Sequence, residues 1–213
     1  HEWLRYFFLH QNALCHPSVL IRKNCYDNCG LYRHDFKQLG DFDMWVRLCL
    51  KYEIHVLPEK LTRFRVHSDG RNTSSGAQEN MSRMFFEFYQ ILNHYRRLES
   101  YEEMVQVFPE AKEYFREDGF DAGFVLGMIA LQLKPFVITK YFGLTLLLEA
   151  LNDASRAAKI KDLYNFDFHD FFNISDVNDI FSFRLSDRMH ALDGEVSDKE
   201  QVIQDLHQQL NGI

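Results

Sequence analysis

Apolar positions change their rhythm near residue 77. Before it they come in short runs; after it they recur at helical spacing almost without a break. Trp3, Leu4, Tyr6, Phe7, Phe8 and Leu14 crowd one helical face across 3–14. His16-Pro17 closes that segment, because a residue before proline is pushed out of the α region. Residues 19–21 read as a short buried strand, bounded by polar residues. Residues 24–29 read as one helical turn that Gly30 ends with a left-handed cap. A helix then opens at Asp41, with Trp45, Leu48 and Tyr52 recurring behind it. Residues 54–57 and 61–66 read as two strands around a turn at Pro58-Glu59-Lys60, and 68–76 as a polar loop.

In the second half Met81, Met84, Phe85, Phe88, Ile91, Leu92 and Tyr95 trace one stripe. Ser100 and Glu103 have capping-box spacing, and Asp153 is placed to cap a helix running to Tyr164. The apolar stretches 124–133 and 136–148, broken by Lys134-Pro135 and Lys140, are too short to span a bilayer. Lying in a membrane interface is one use for them. At the end, Met189, Val196, Ile203 and Leu210 repeat every seven residues. Leu185, Leu192, Leu206 and Ile213 fill the second apolar position, with Lys199 the exception, so 182–213 reads as a coiled-coil-like helix. Such a seam needs a second helix, from a partner such as another copy of the chain or from its own domain. Gly194 weakens it by about 1 kcal/mol relative to alanine.

Composition narrows the functional classes. Twenty Phe and ten Tyr in 213 residues argue for a packed core and against disorder. A net charge of −7, with no Lys/Arg run beyond two residues, disfavours a nucleic-acid partner. The cysteines at 15, 25, 29 and 49 form no C-x-x-C pair and read as reduced thiols of a cytoplasmic protein. No charged-then-apolar leader follows His1-Glu2, so the sequence reads as a piece of something longer.

Five blocks carry a resemblance. They are 18–22, Gly30-Leu31-Tyr32, Gly40-Asp41-Phe42-Asp43-Met44-Trp45-Val46-Arg47-Leu48, Leu57-Pro58-Glu59, and Phe64-Arg65-Val66-His67 followed by Asn72-Thr73-Ser74. In order and spacing they resemble the family-2 glycosyltransferases, and within them the acceptor-binding second half of the catalytic domain. The resemblance covers about a third of the chain. It implies an α+β, mostly helical chain: a partial GT-A (Rossmann-like) domain with a few short strands over 1–75, a helical extension over 76–181, and the terminal helix. It also implies an inverting transfer of sugar from a nucleotide-sugar donor to a glycan or lipid-linked acceptor. The expected setting is bacterial surface polysaccharide synthesis at the inner face of the membrane. Gly40 stands where many relatives carry a Glu, and no donor half precedes His1, so the chain alone is expected to be inert.

Mapped by the resemblance, Asp41 matches the general base and His67 a ligand position for Mn²⁺ or Mg²⁺ in the intact enzyme, with no metal expected on this piece. Asp43, Trp45 and Arg65 are the candidate acceptor contacts. Each has a plainer reading. Asp41 also suits a helix N-cap. Asp43 also suits a pair with Arg47 four residues on. Trp45 also suits the core, Arg65 a partner for either carboxylate, and His67 a solvated loop. His10, His16, His34 and His55 read as structural. The rival to an enzyme is a non-catalytic helical interaction module acting through 77–213.

Overall fold

The computed structural model describes residues 1–63, 78–133, 136–182 and eight positions between 186 and 199. The chain forms two units, His1–Phe171 and Phe172–Ile213. The first is built from helices α1 (Glu2–His10), α2 (Lys23–Cys29), α3 (Gly40–Cys49), α4 (Gln78–Leu92), α5 (Tyr101–Val107), α6 (Ala122–Leu133), α7 (Val137–Asn152) and α8 (Ala154–Tyr164). Helix α9 (Phe168–Val177) runs from the first unit into the second.

An aromatic core joins the early and later helices. Phe7 of α1 meets Phe42 of α3 edge-on at 5.4 Å, and Phe42 stacks on Phe88 of α4 at 5.8 Å. Phe8 packs against Tyr95 at 5.1 Å and Phe108 at 4.9 Å. The Tyr95 hydroxyl, buried with its ring, donates to the Leu4 carbonyl at 2.8 Å. Burying each of these rings stabilises by about 1.5–3 kcal/mol. The stripe from Phe88 to Tyr95 faces inward, and Met81 at its start is partly exposed. Ser100 and Glu103 close a reciprocal capping box on α5, and Asp153 caps α8 through the Arg156 amide.

The α+β expectation is corrected: among the described residues there is no strand. The segment 19–22 has extended dihedrals at Val19 and Arg22 but no ladder, and Leu20 is fully exposed rather than buried. Residues 54–57 and 61–63 are irregular, with Val56, Leu57 and Leu61 more than half exposed. A β-rich sequence becomes a strand only when a neighbour takes up its backbone N–H and C=O groups, and none of the described residues does so here. Residues 64–66 of the expected second strand, and the expected boundary at 75/76, lie outside the described residues. The first helix ends at His10, not near residue 14, and Pro17 opens a short 3₁₀ turn. Gly30 does end α2 with a positive φ of 82°, though its ψ of 169° is not the left-handed helical value.

The apolar stretch of α6 is spent on the interior: Phe124 to Leu126 and Ile129 to Leu131 are buried. No described helix is long and apolar enough to cross a membrane. Helices α6 and α7 approach closely at Gly127 and Gly143, where a Cβ on Gly143 would lie 2.8 Å from the Gly127 carbonyl oxygen and 3.0 Å from Leu131 Cγ. Gly143→Leu is therefore expected to cost about 2–3 kcal/mol through overpacking. For a chain of this size that lowers Tm by roughly 4–12 °C. Gly40→Ala, whose Cβ would meet only Phe36 at 3.6 Å, should leave Tm in place. Thermal melts followed by circular dichroism compare the two, and equal midpoints would refute the tight crossing.

Candidate functional site

The start of α3 carries two carboxylates in one turn, and the fold gives them opposite surroundings. No side chain caps Leu39 from within the helix. Instead Glu87, buried on α4, accepts from the backbone amides of Lys37 at 2.9 Å, Gln38 at 3.0 Å and Leu39 at 2.7 Å. Three otherwise unsatisfied donors ahead of the helix are thereby paired.

Asp41 stays half-buried. Its Oδ1 accepts from the Phe42 amide at 2.7 Å and its Oδ2 from Asn12 Nδ2 at 3.2 Å. Among the described residues it makes no ion pair. Asn12 is held in turn, its Oδ1 accepting from the Leu14 amide at 3.0 Å. The preceding residue, Gln11, takes φ 63° and ψ −156°, a region nearly reserved for glycine, at a cost on the order of 1–3 kcal/mol. That turn swings the chain off α1 and places Asn12 against Asp41. Beside the carboxylate lies an aromatic wall: His16 and Tyr32 at 5.2 Å, Tyr32 and Trp45 at 6.5 Å, His16 and Trp45 at 6.0 Å. Burial first, then the neighbouring Tyr26, raises the Tyr32 hydroxyl above the ordinary tyrosine range, so it remains a neutral donor.

Asp43 is fully buried. Its Oδ2 takes Arg47 Nε at 2.8 Å and Nη2 at 2.7 Å, and its Oδ1 meets His94 Nε2 at 2.7 Å. Arg47 also donates to the carbonyls of Cys29, Gly30 and Leu31, lashing the end of α2 to α3. Burial alone would raise the Asp43 carboxyl. The His94 hydrogen bond and the charge and hydrogen bond of Arg47 more than reverse this, holding it below the usual carboxylate range.

Of the expected site residues, Asp41 is thus brought to a partly open position. Asp43 offers no open face to an acceptor hydroxyl and takes the plainer role, as the partner of Arg47. Trp45 is 1% exposed, so its ring belongs to the core beneath Tyr32 and His16, and its Nε1 has no hydrogen-bond partner. Arg65 and His67 lie outside the described residues. Comparison with protein-family models, curated proteins and solved structures gives no match.

The described residues do not form a cation site. No three His, Cys, Asp or Glu side chains among them converge, and both oxygens of Asp43 are taken by Arg47 and His94. A cleft of about 360 Å³ lies elsewhere, between Arg96 and Arg156. There each guanidinium is already clasped by a carboxylate: Arg96 by Glu149 at 2.6 and 3.1 Å, Arg156 by Asp121 at 2.9 and 2.7 Å.

Sequence reasoning missed Asn12, Tyr32, Glu87 and His94. A signal existed for the last two: they lie seven apart, Glu87 within the apolar stripe of α4 and His94 in the 3₁₀ turn just after it, where a buried ionisable group needs a partner. Nothing local marks Asn12, 29 residues away from Asp41.

Removing the wrong carboxylate should therefore unfold rather than disable. Asp43→Asn leaves the Arg47 guanidinium without its counter-charge and is expected to cost about 3–5 kcal/mol. Asp41→Asn should cost about 1 kcal/mol or less. A depressed carboxyl contributes stability above its unfolded pKa of about 3.9 and loses it as pH falls through the lower folded value. Tm should hold from pH 7 to 5 as far as Asp43 is concerned, then fall below about pH 4. Asp121, lowered by Arg156 after burial opposes it, shares that window, so Asp43→Asn should abolish only part of the acid sensitivity. Melts across pH read both; an unchanged acid limb in Asp43→Asn would refute this assignment.

Proposed function

We propose that this chain is the acceptor side of an inverting glycosyltransferase, with Asp41 as the general base. The carrying observation is the contrast within one helical turn. Asp43 is sealed by Arg47 and His94, while Asp41 is half-buried, positioned by neutral donors and free of any ion pair among the described residues.

Such an arrangement suits proton abstraction. A cation beside a carboxylate weakens it as a base, and among the described residues Asp41 has none. In the transfer, the acceptor hydroxyl oxygen bonds to the anomeric carbon of the nucleotide-sugar, and the bond from that carbon to the diphosphate oxygen breaks. The hydroxyl proton passes to Asp41, and the nucleoside diphosphate leaves with the electron pair. Positioned general bases contribute about 10²–10⁴-fold. Tyr32 and His16 lie at the surface of the aromatic wall, which supports a reading in which they border the sugar ring.

The assay is turnover of a nucleotide-sugar onto a saccharide acceptor by the intact enzyme. Asp41→Asn is expected to lower kcat at least 10²-fold with Tm nearly unchanged. Retained turnover in that variant would remove Asp41 from the mechanism.

A second reading concerns the end of the chain. Met189, Leu192 and Val196, three seam positions of the terminal heptads, are helical and 56, 50 and 54% exposed. Helices with an uncovered apolar seam gain by pairing, so we propose self-association through 182–213. Sedimentation velocity should find a dimer or larger that Leu192→Lys with Val196→Lys reduces to monomer. A monomeric unsubstituted chain at tens of micromolar would refute it.

A further inference from the structure

A cleft of about 180 Å³ opens next to the candidate base. Met81, Met84, Phe85 and Phe88 of α4 line it, with Phe136 at the start of α7. The remaining two lining residues are Gln11 and Leu39. Those two are the link to the chemistry. Gln11 precedes Asn12, the donor to Asp41, and Leu39 precedes Asp41 by two residues, a span of at most about 7 Å along the chain. Phe88, in the cleft wall, stacks on Phe42, the residue after Asp41.

The lining chemistry is one-sided. Six of the seven residues are Leu, Met or Phe. An apolar cavity of about 150 Å³ stays dry and admits a benzene-sized group, so the space here takes a short stretch of hydrocarbon. Two methionines give it a wall that adapts to tails of different shape. Outside it the apolar surface continues. Phe86 is 65% exposed beside Phe85, and Val137 and Tyr141 are about two-fifths exposed on α7, with Tyr141 5.3 Å from Tyr89.

We propose that this cleft holds the hydrocarbon part of the acceptor, which is therefore an amphiphile: a saccharide whose hydroxyl meets Asp41 and whose apolar tail lies between α4 and the start of α7. The proposal rests on the reading of Asp41 as the base and narrows the acceptor from glycan or lipid-linked to lipid-linked. The tail supplies binding away from the reacting hydroxyl, and this anchors that hydroxyl against the carboxylate.

The test titrates hexyl β-glucoside, methyl β-glucoside and 1-hexanol into the full chain carrying ¹³C-methyl methionine, read by NMR. Hexyl glucoside is expected to shift the Met81 and Met84 methyls and to bind at least tenfold more tightly than methyl glucoside. Met84→Trp, which fills the cleft, should erase that tenfold advantage; should it fail to fold, Met81→Lys places a charge at a partly exposed lining position to the same end. Equal affinity for the two glucosides would overturn the proposal, as would an advantage that survives either folded variant. Hexanol binding as tightly as hexyl glucoside would also overturn it, since the sugar would then play no part. A tail effect erased by Met84→Trp supports the cleft whatever Asp41→Asn does to turnover, so the two ideas fail separately.

Discussion

The buried contact of Asp43 with Arg47 and His94 is the constraint on which the candidate site depends. A carboxylate removed wholly from water is tolerated only when its charge and lone pairs are met, and here a guanidinium from the same helix and an imidazole from the 3₁₀ turn after α4 meet them. Arg47 then spends its remaining donors on three consecutive carbonyls at the end of α2. This cluster thus ties α3 to the 3₁₀ turn after α4 through His94, and through Arg47 pins the loop that carries Tyr32. Two residues before Asp43, Asp41 inherits a rigid position without sharing the neutralising partners. A fixed, half-exposed carboxylate with no ion pair among the described residues is what the proposed proton abstraction asks of a scaffold.

Glu87 completes that logic from the other side. Its carboxylate gathers three amides ahead of α3, so α4 holds the entry to the helix while His94, in the turn just after α4, meets the charge inside it. Helix α4 is amphipathic in the usual sense, but Glu87 is buried on it and His94 follows seven residues later in the 3₁₀ turn at its end. Their partners lie about fifty residues upstream. The early segment is therefore not a loose appendage: helices α1 to α3 are stitched to the later bundle by aromatic contacts and by these carboxylate bonds.

Much of the helical half was legible from local signals, because those signals are local in cause. The stripe from Met81 to Tyr95, the Ser100–Glu103 box and the Asp153 cap each depend on residues within one or two turns. Strands are different. Residues 19–21 and 54–57 have strand-like composition, yet extended backbone needs a neighbour supplied by some other stretch of chain, and composition cannot report whether one is present. The same division runs through the site. The Asp43–Arg47 pair follows helical spacing and could be read directly, and so could the placing of both carboxylates at a helix start. The Asn12–Asp41 bond and the strained Gln11 that aims it arise from tertiary packing and leave no periodic trace.

That strain bears on how the site is organised. A non-glycine residue at φ 63°, ψ −156° persists only where its surroundings over-determine it, and here two features do. The Gln11 amide closes α1 on the Phe7 carbonyl at 3.0 Å, and Asn12 immediately beyond is engaged at both ends of its side chain. Phe7 is itself locked against Phe42, the neighbour of Asp41. The aromatic core, the strained turn and the carboxylate form a closed circuit, in which the packing energy of buried rings maintains an unfavourable backbone and the backbone delivers a neutral donor to Asp41. A neutral amide restrains a carboxylate without neutralising it, whereas a lysine or arginine at position 12 would hold it as firmly and diminish its basicity. Through that circuit the hydrophobic core reaches the proposed base.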